Sequence, residues 1–304
     1  MKNLKVLIPT TVEALYLPVL KATLQRRGFD FEVIGLGMTY IDWTWKQFQV
    51  LAWLNAYGSG YRHVMQLDAF DTLMLGDERE VMDVFSSYGA AILLSSDPGC
   101  WPHYNARDKF RPVPSCTPYV NSGVYLGETA AVQATLKHML RDLSCIYNDD
   151  QCLWAQAHLE TPSQIKIDYR SKLSLSMYNT PHKLTWDDIN LRATLEDGTT
   201  KPCILHGNGG TNLRRYAQDI EPNIVVTIPL RFAPGPRPQP INREAGNKKA
   251  LCPTSPDDNS CFARFPSSTQ TPSQPGRKSR RRSANSGASA SEALRVEKRA
   301  RSRD

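Results

Sequence analysis

The chain has 304 residues, of which 40 % are hydrophobic and 22 % charged. That is long enough to bury a core, and the composition is globular rather than fibrous; no apolar run approaches the roughly 20 residues that cross a bilayer. The net charge of +7 is uneven: residues 241–304 carry +8 and residues 1–240 carry −1, so bulk charge does not mark the body as a nucleic-acid binder.

In chain order, Lys5–Pro9 reads as a buried strand and Leu17–Arg27 as a helix stopped by Gly28. Phe31–Gly37 is a second strand, and Trp45–Tyr57 a helix ended by Gly58. Strands follow at His63–Asp68, Ala90–Ser96, Gly123–Gly127 and Pro202–His206, with helices at Glu128–Leu143 and Asp149–Leu159. Continuous apolar strands alternating with helices predict an α/β fold with a mainly parallel central sheet. Such sheets bind ligands beyond the carboxyl ends of their strands. From about Pro234 the chain is rich in Pro, Ser, Arg and Gly without apolar periodicity, so a domain over residues 1–230 and a disordered basic tail over 231–304 are expected.

The opening segment is broken at Pro9, Thr10, Thr11 and Glu13 and shows no small-residue cleavage site, so it does not read as a secretory signal. Seven cysteines at irregular spacing, with no CxxC pair, fit reduced thiols in an intracellular, cytoplasmic protein. The tail's Arg277-Lys278 and Arg280-Arg281-Arg282 read as a solvated run or a nuclear-import signal.

Five clusters at the ends of expected strands and helices could carry chemistry. In LDAFDTLML, Asp68 and Asp71 suit either a turn or a hard divalent cation held through oxygen. In SSDPGCWPHY, Trp101 either lines a ligand or covers the sheet end. Asn121-Ser122-Gly123 is placed just ahead of a strand, as a turn or a polar contact. Asp149 and Asp150 open a helix, where acids serve as caps or as site groups. His206 and the loop Gly207-Asn208-Gly209-Gly210 are structural, or supply a metal ligand and backbone N–H groups for phosphate.

The order of these motifs is more telling than any one of them. LDAFD, DPGCWPHY, PYVNSGVYLG, NDDQ, IKIDYRSKLSLSMY and LHGNGGT together resemble the glycosyltransferase domain of procollagen lysyl hydroxylases, over residues 3–216. The resemblance implies a GT-A-like fold, a UDP-sugar donor, Mn²⁺ (or Mg²⁺), and retaining transfer of a hexose, glucose by analogy, to a hydroxyl acceptor on protein or glycan. It assigns the metal to Asp68, Asp71 and His206, and the donor to Thr10, Thr11, Lys46, Phe70, Trp101, Asn121, Gly207, Asn208 and Gly209. It places Asp149 and Asp150 near the transferred sugar. The chain departs from the family at Asn148, at His103, and at Gly210-Thr211-Asn212, where the family carries Pro-Thr-Lys. Two alternatives remain: a glycosyltransferase of hydroxylated DNA bases helped by the basic tail, and a degenerate nucleotide-sugar-binding module.

Overall fold

The computed structural model describes residues 1–102, 104–141 and 149–226. The expected domain boundary near 230, the tail, His103 and Asn148 lie outside the described residues. In chain order the elements are β1 (Lys2–Pro9), α1 (Leu17–Arg26), β2 (Phe31–Ile34), α2 (Trp45–Tyr57), β3 (Tyr61–Leu67), β4 (Thr72–Met74), α3 (Glu78–Tyr88), β5 (Ile92–Asp97) and β6 (Tyr119–Glu128). They continue with α4 (Thr129–Met139), α5 (Asp150–Glu160), β7 (Ile165–Ile167), β8 (Ser174–Ser176), β9 (Leu184–Asp187), β10 (Arg192–Leu195), β11 (Ile204–His206) and α6 (Arg214–Ile220).

Six strands form the central sheet in the order β2-β1-β3-β6-β5-β7. The pairs β1–β2, β1–β3 and β5–β7 are parallel, while β6 runs antiparallel to both its neighbours. The sheet is therefore mostly parallel with one reversed strand. Alternation along β1 divides the core: Leu4, Val6 and Ile8 pack against α1 and α3, whereas Leu7 faces the side covered by α2, α4 and α5. A second sheet, β4-β11-β8, packs with α6 and the β9–β10 hairpin over a smaller core.

Several elements differ from the sequence reading. The second strand stops at Ile34 because Gly35 and Gly37 take φ of 87° and 78°. A Cβ on Gly35 would also lie 2.5 Å from the Trp45 ring. Asn121-Ser122-Gly123 is not a turn ahead of a strand but lies inside β6, where the pairing with β5 shifts register between Leu94 and Ser95. The unanticipated α3 starts with a reciprocal capping box between Asp77 and Glu80 and ends at a left-handed Gly89. The expected helix Glu128–Leu143 ends earlier, at Met139 with Leu140 as its C-cap; residues 142–148 lie outside the described set. Among the described residues no helix is long and apolar enough to cross a membrane.

Candidate active site

Asp68 is the first residue beyond β3, and its backbone N–H donates to Gly123 O at 2.8 Å. The short β4 then pairs antiparallel with β11 so that Thr72 stands opposite His206. Gly207 N–H donates to Asp71 O at 2.7 Å. This register brings together Asp68, Asp71 and His206 from segments more than 130 residues apart in sequence. One ligand atom from each lies within 4.8 Å of the others. His206 Nε2 is 3.5 Å from Asp71 Oδ1 and 3.9 Å from Asp68 Oδ2. The imidazole is buried, at 2 % exposure, yet beyond these two carboxylate contacts neither ring nitrogen has a hydrogen-bond partner among the described residues. A buried polar group left this way costs stability unless something else meets it. Gly123 makes room for the ring: a Cβ there would lie 2.1 Å from His206 Cε1 and 2.8 Å from Asp68 Oδ2.

The charges in this cluster perturb one another. Burial pushes the Asp68 carboxyl above its usual range; Lys46 pulls the other way, and neighbouring Asp71 adds to the rise. For Asp71, burial works upward but the His206 ring outweighs it, so its carboxyl falls below the usual range. Burial works against a charged His206, yet Asp71 and Asp68 lift it above the ordinary imidazole value. Lys46 Nζ bridges Asp68 Oδ1 at 2.7 Å and Asp150 Oδ2 at 3.0 Å. Burial opposes its charge as well, and the attraction of Asp150 and Asp68 prevails, raising its pKa.

The two helix-opening acids separate. Asp149 is the N-cap of α5, its side chain accepting from Cys152 N–H at 3.1 Å. Asp150 turns into the cluster, where Gln47 Nε2 donates to it at 3.1 Å, and Gln47 in turn accepts from Tyr125 OH at 2.9 Å.

The remaining residues form a surround. Thr10, just past β1, is buried, and its hydroxyl bonds Val12 O at 2.8 Å; Thr11 O accepts from Gly37 N–H. Phe70 is half-buried between the two aspartates. Trp101 is 57 % exposed, and its carbonyl accepts from Gln151 Nε2 at 2.9 Å. Asn121 and Asn208 are more constrained than expected. Both donate their amide N–H groups to Asp97 Oδ2, at 3.2 and 2.9 Å. Their carbonyls accept from Gly123 N–H and Tyr178 N–H respectively. Asp97, at the end of β5, thus clamps β6 to the Gly207-Asn208-Gly209 loop. Sequence reasoning passed it over, and only its place in SSDPG at a strand end could have suggested it. Gly209 adopts φ of 62° against the Tyr178 ring.

A mostly parallel α/β sheet with an acidic, imidazole-bearing cluster at its strand ends is a ligand-binding architecture with a place for a cation. The family described as "PLOD GT domain" matches residues 19–219, well over half of the chain. The chain belongs to that family and is a glycosyltransferase domain. Among its relatives is a Drosophila melanogaster procollagen-lysine,2-oxoglutarate 5-dioxygenase, 25 % identical over 156 residues, covering 48 % of this chain and 21 % of that one. The human multifunctional procollagen lysine hydroxylase and glycosyltransferase LH3 is 23 % identical over 167 residues, 53 % of this chain and 22 % of that one. The chain thus spans about a fifth of the length of these relatives. Among solved structures, a glycosyltransferase involved in glycosylation of the major capsid of PBCV-1 aligns over 72 % of this chain and 98 % of its own, with 12 % identity and a TM-score of 0.45. Family membership agrees with the GT-A-like α/β fold expected from the motifs.

Proposed function

We propose that the domain is a metal-dependent hexosyltransferase that takes a UDP-sugar and transfers the sugar to a hydroxyl acceptor. The observation that carries the metal dependence is the Asp68–Asp71–His206 cluster, whose buried imidazole makes only the two carboxylate contacts among the described residues. Two carboxylates and an imidazole fit Mn²⁺, with Mg²⁺ the harder alternative. These three residues would hold the cation, which when bound neutralises the departing nucleoside diphosphate.

The chain's own groups do the rest. Lys46 fixes Asp68 and Asp150 in place. Asp150 is the carboxylate assigned to positive charge developing at the anomeric carbon, a Coulomb stabilisation that strengthens where water is excluded. Asp149 is assigned to capping α5. Asp97 holds the Gly207-Asn208-Gly209 loop for the diphosphate, and Thr10, Thr11, Phe70 and Trp101 are assigned to the donor's nucleoside and sugar. Relatives named as collagen-lysine enzymes make a hydroxylysine-linked glycan the first acceptor to try. The arginines invoked for a DNA-acting alternative lie outside the described residues.

The test is UDP release from a panel of UDP-sugars with and without hydroxylysine-containing peptides. Release that needs Mn²⁺ or Mg²⁺ and stops on chelation supports the reading. Tight UDP-sugar binding without release for any donor or acceptor would leave a binding module instead.

A further inference from the structure

Apart from the acidic cluster, the described residues hold a second constellation, in the segments that precede β6 and β9 and follow β10. His182 Nε2 lies 3.4 Å from Cys116 Sγ, and His182 Nδ1 lies 3.0 Å from Glu196 Oε1. A carboxylate can only accept, so in the neutral imidazole the proton belongs on Nδ1, which leaves the Nε2 lone pair toward the thiol. Nucleophile, base and orienting acid are therefore in line, which is the geometry that activates a weak nucleophile. The four described thiols contrast: Cys100, Cys152 and Cys203 are buried, and Cys116 is partly open. Burial pushes Cys100 up to about 11 and Cys203 up to about 12. Cys116 also lies above the usual thiol value, through burial first, with the Glu196 charge adding to it. It therefore rests protonated, and its proton must leave as it attacks.

We propose that Cys116 is a thiol–disulfide exchange site, with His182 as its base and Glu196 as the group that orients the imidazole. The co-reactant is a low-molecular-weight disulfide of the glutathione class. The Cys116 proton passes to His182 Nε2 while Sγ attacks one sulfur of the disulfide. A new S–S bond forms on Cys116 as the old one breaks, and the leaving thiolate takes the proton from His182. Cys116 is oxidised and half of the disulfide is reduced. No step depends on glycosyl transfer.

The experiment treats the reduced full chain with oxidised glutathione at neutral pH, quenches with an alkylating agent and follows each cysteine peptide by mass spectrometry. Cys116 should form the mixed disulfide well ahead of Cys152 and Cys203. His182→Gln should slow that step about a hundredfold, the low end of what a positioned base contributes. Glu196→Gln should slow it by a smaller factor. Glu196 is exposed, so this variant decides the matter should His182→Gln not fold. Modification of Cys116 no faster than that of Cys152 would overturn the proposal, as would unchanged rates in both variants. Acylation of Cys116 by a thioester without any disulfide exchange would also overturn it.

Discussion

A lysine–carboxylate network lies at each end of the central sheet's parallel strands, and the two networks differ in how they close. At the amino ends of β1, β2 and β3, Asp30 accepts from Lys2 at 2.7 Å, Lys5 at 2.8 Å and Tyr61 at 2.9 Å, while Glu32 accepts from Trp53 at 3.0 Å. Two lysines face two carboxylates there, and every donor has a partner. At the carboxyl ends, Asp68, Asp71 and Asp150 face one lysine and a histidine that, among the described residues, makes only the two ion-pair contacts to Asp68 and Asp71. Both ends draw on the same chemistry. The amino end uses it for closure, whereas the carboxyl end is short of positive charge, and that deficit is what a cation would fill.

The largest expected effect tests the deficit directly. Asp71→Asn removes one of the three candidate ligands without touching Lys46. Turnover should fall by about a hundredfold or more, the scale of losing one preorganised electrostatic group, and calorimetric titration with Mn²⁺ should show weakened binding. Full activity in Asp71→Asn would mean that the open charge at this end is not a metal site.

The helix-opening acids give the next contrast. Asp150→Asn should cut turnover about a hundredfold while Mn²⁺ binding persists. Asp149→Ala should instead lower stability by about 1 kcal/mol through the lost cap, with turnover retained. The reverse pattern would exchange their roles.

Gly123→Ala should act more mildly. The added methyl must displace His206 or Asp68, and disturbing how a ligand is seated costs about tenfold or more in metal affinity. Equal metal affinity in this variant would mean that the imidazole is not part of the site.

The residues that were legible in the sequence are those whose signal is local. Apolar runs such as Lys5–Pro9 and the glycine stops at Gly28 and Gly58 marked β1, α1 and α2 to within a few residues. Asp68, Asp71 and His206 announced themselves as polar residues where apolar runs end. What stayed hidden depends on register. Gly123 looked like turn punctuation because nothing in VNSGV shows that the β6 backbone passes beneath His206. Asp97 gained meaning only with Asn121 and Asn208, which lie 24 and 111 residues away. The same distance concealed the split between Asp149 and Asp150: a cap is local, but the Lys46 contact spans the chain. The start of α3 is also local and legible: Asp77 and Glu80 form its capping box, and Val81 and Phe85 recur one turn apart on its buried face.

The amino-end network should give smaller effects, confined to stability. Lys5→Met removes the ammonium that faces Asp30 and Glu32 and lies over the Trp53 and Tyr61 rings. Asp30 still has Lys2 and Tyr61 and is partly exposed, whereas Lys5 is buried, so the loss of unfolding free energy should be about 1–3 kcal/mol, with turnover and Mn²⁺ affinity unchanged. A loss of activity here would break the contrast between the two ends.

The smallest effect is the pH dependence of that network. Burial alone would raise the Asp30 carboxyl; the donors Lys2, Lys5 and Tyr61 outweigh it and hold its pKa at about 2, below the ordinary 3.8. A carboxylate depressed in the folded state stabilises the protein above its unfolded value, and the contribution disappears as the pH falls through the folded value. Wild type should therefore melt above Asp30→Asn at neutral pH, and the gap should narrow between pH 3.8 and about 2. Asp30 is partly exposed, so salt should shrink the gap as well. A gap that persists unchanged down to pH 2, or that ignores salt, would mean that packing of Tyr61 and Trp53 rather than charge holds this end. The difference between the ends would then lie in shape, and the electrostatic account of the carboxyl end would lose its internal control.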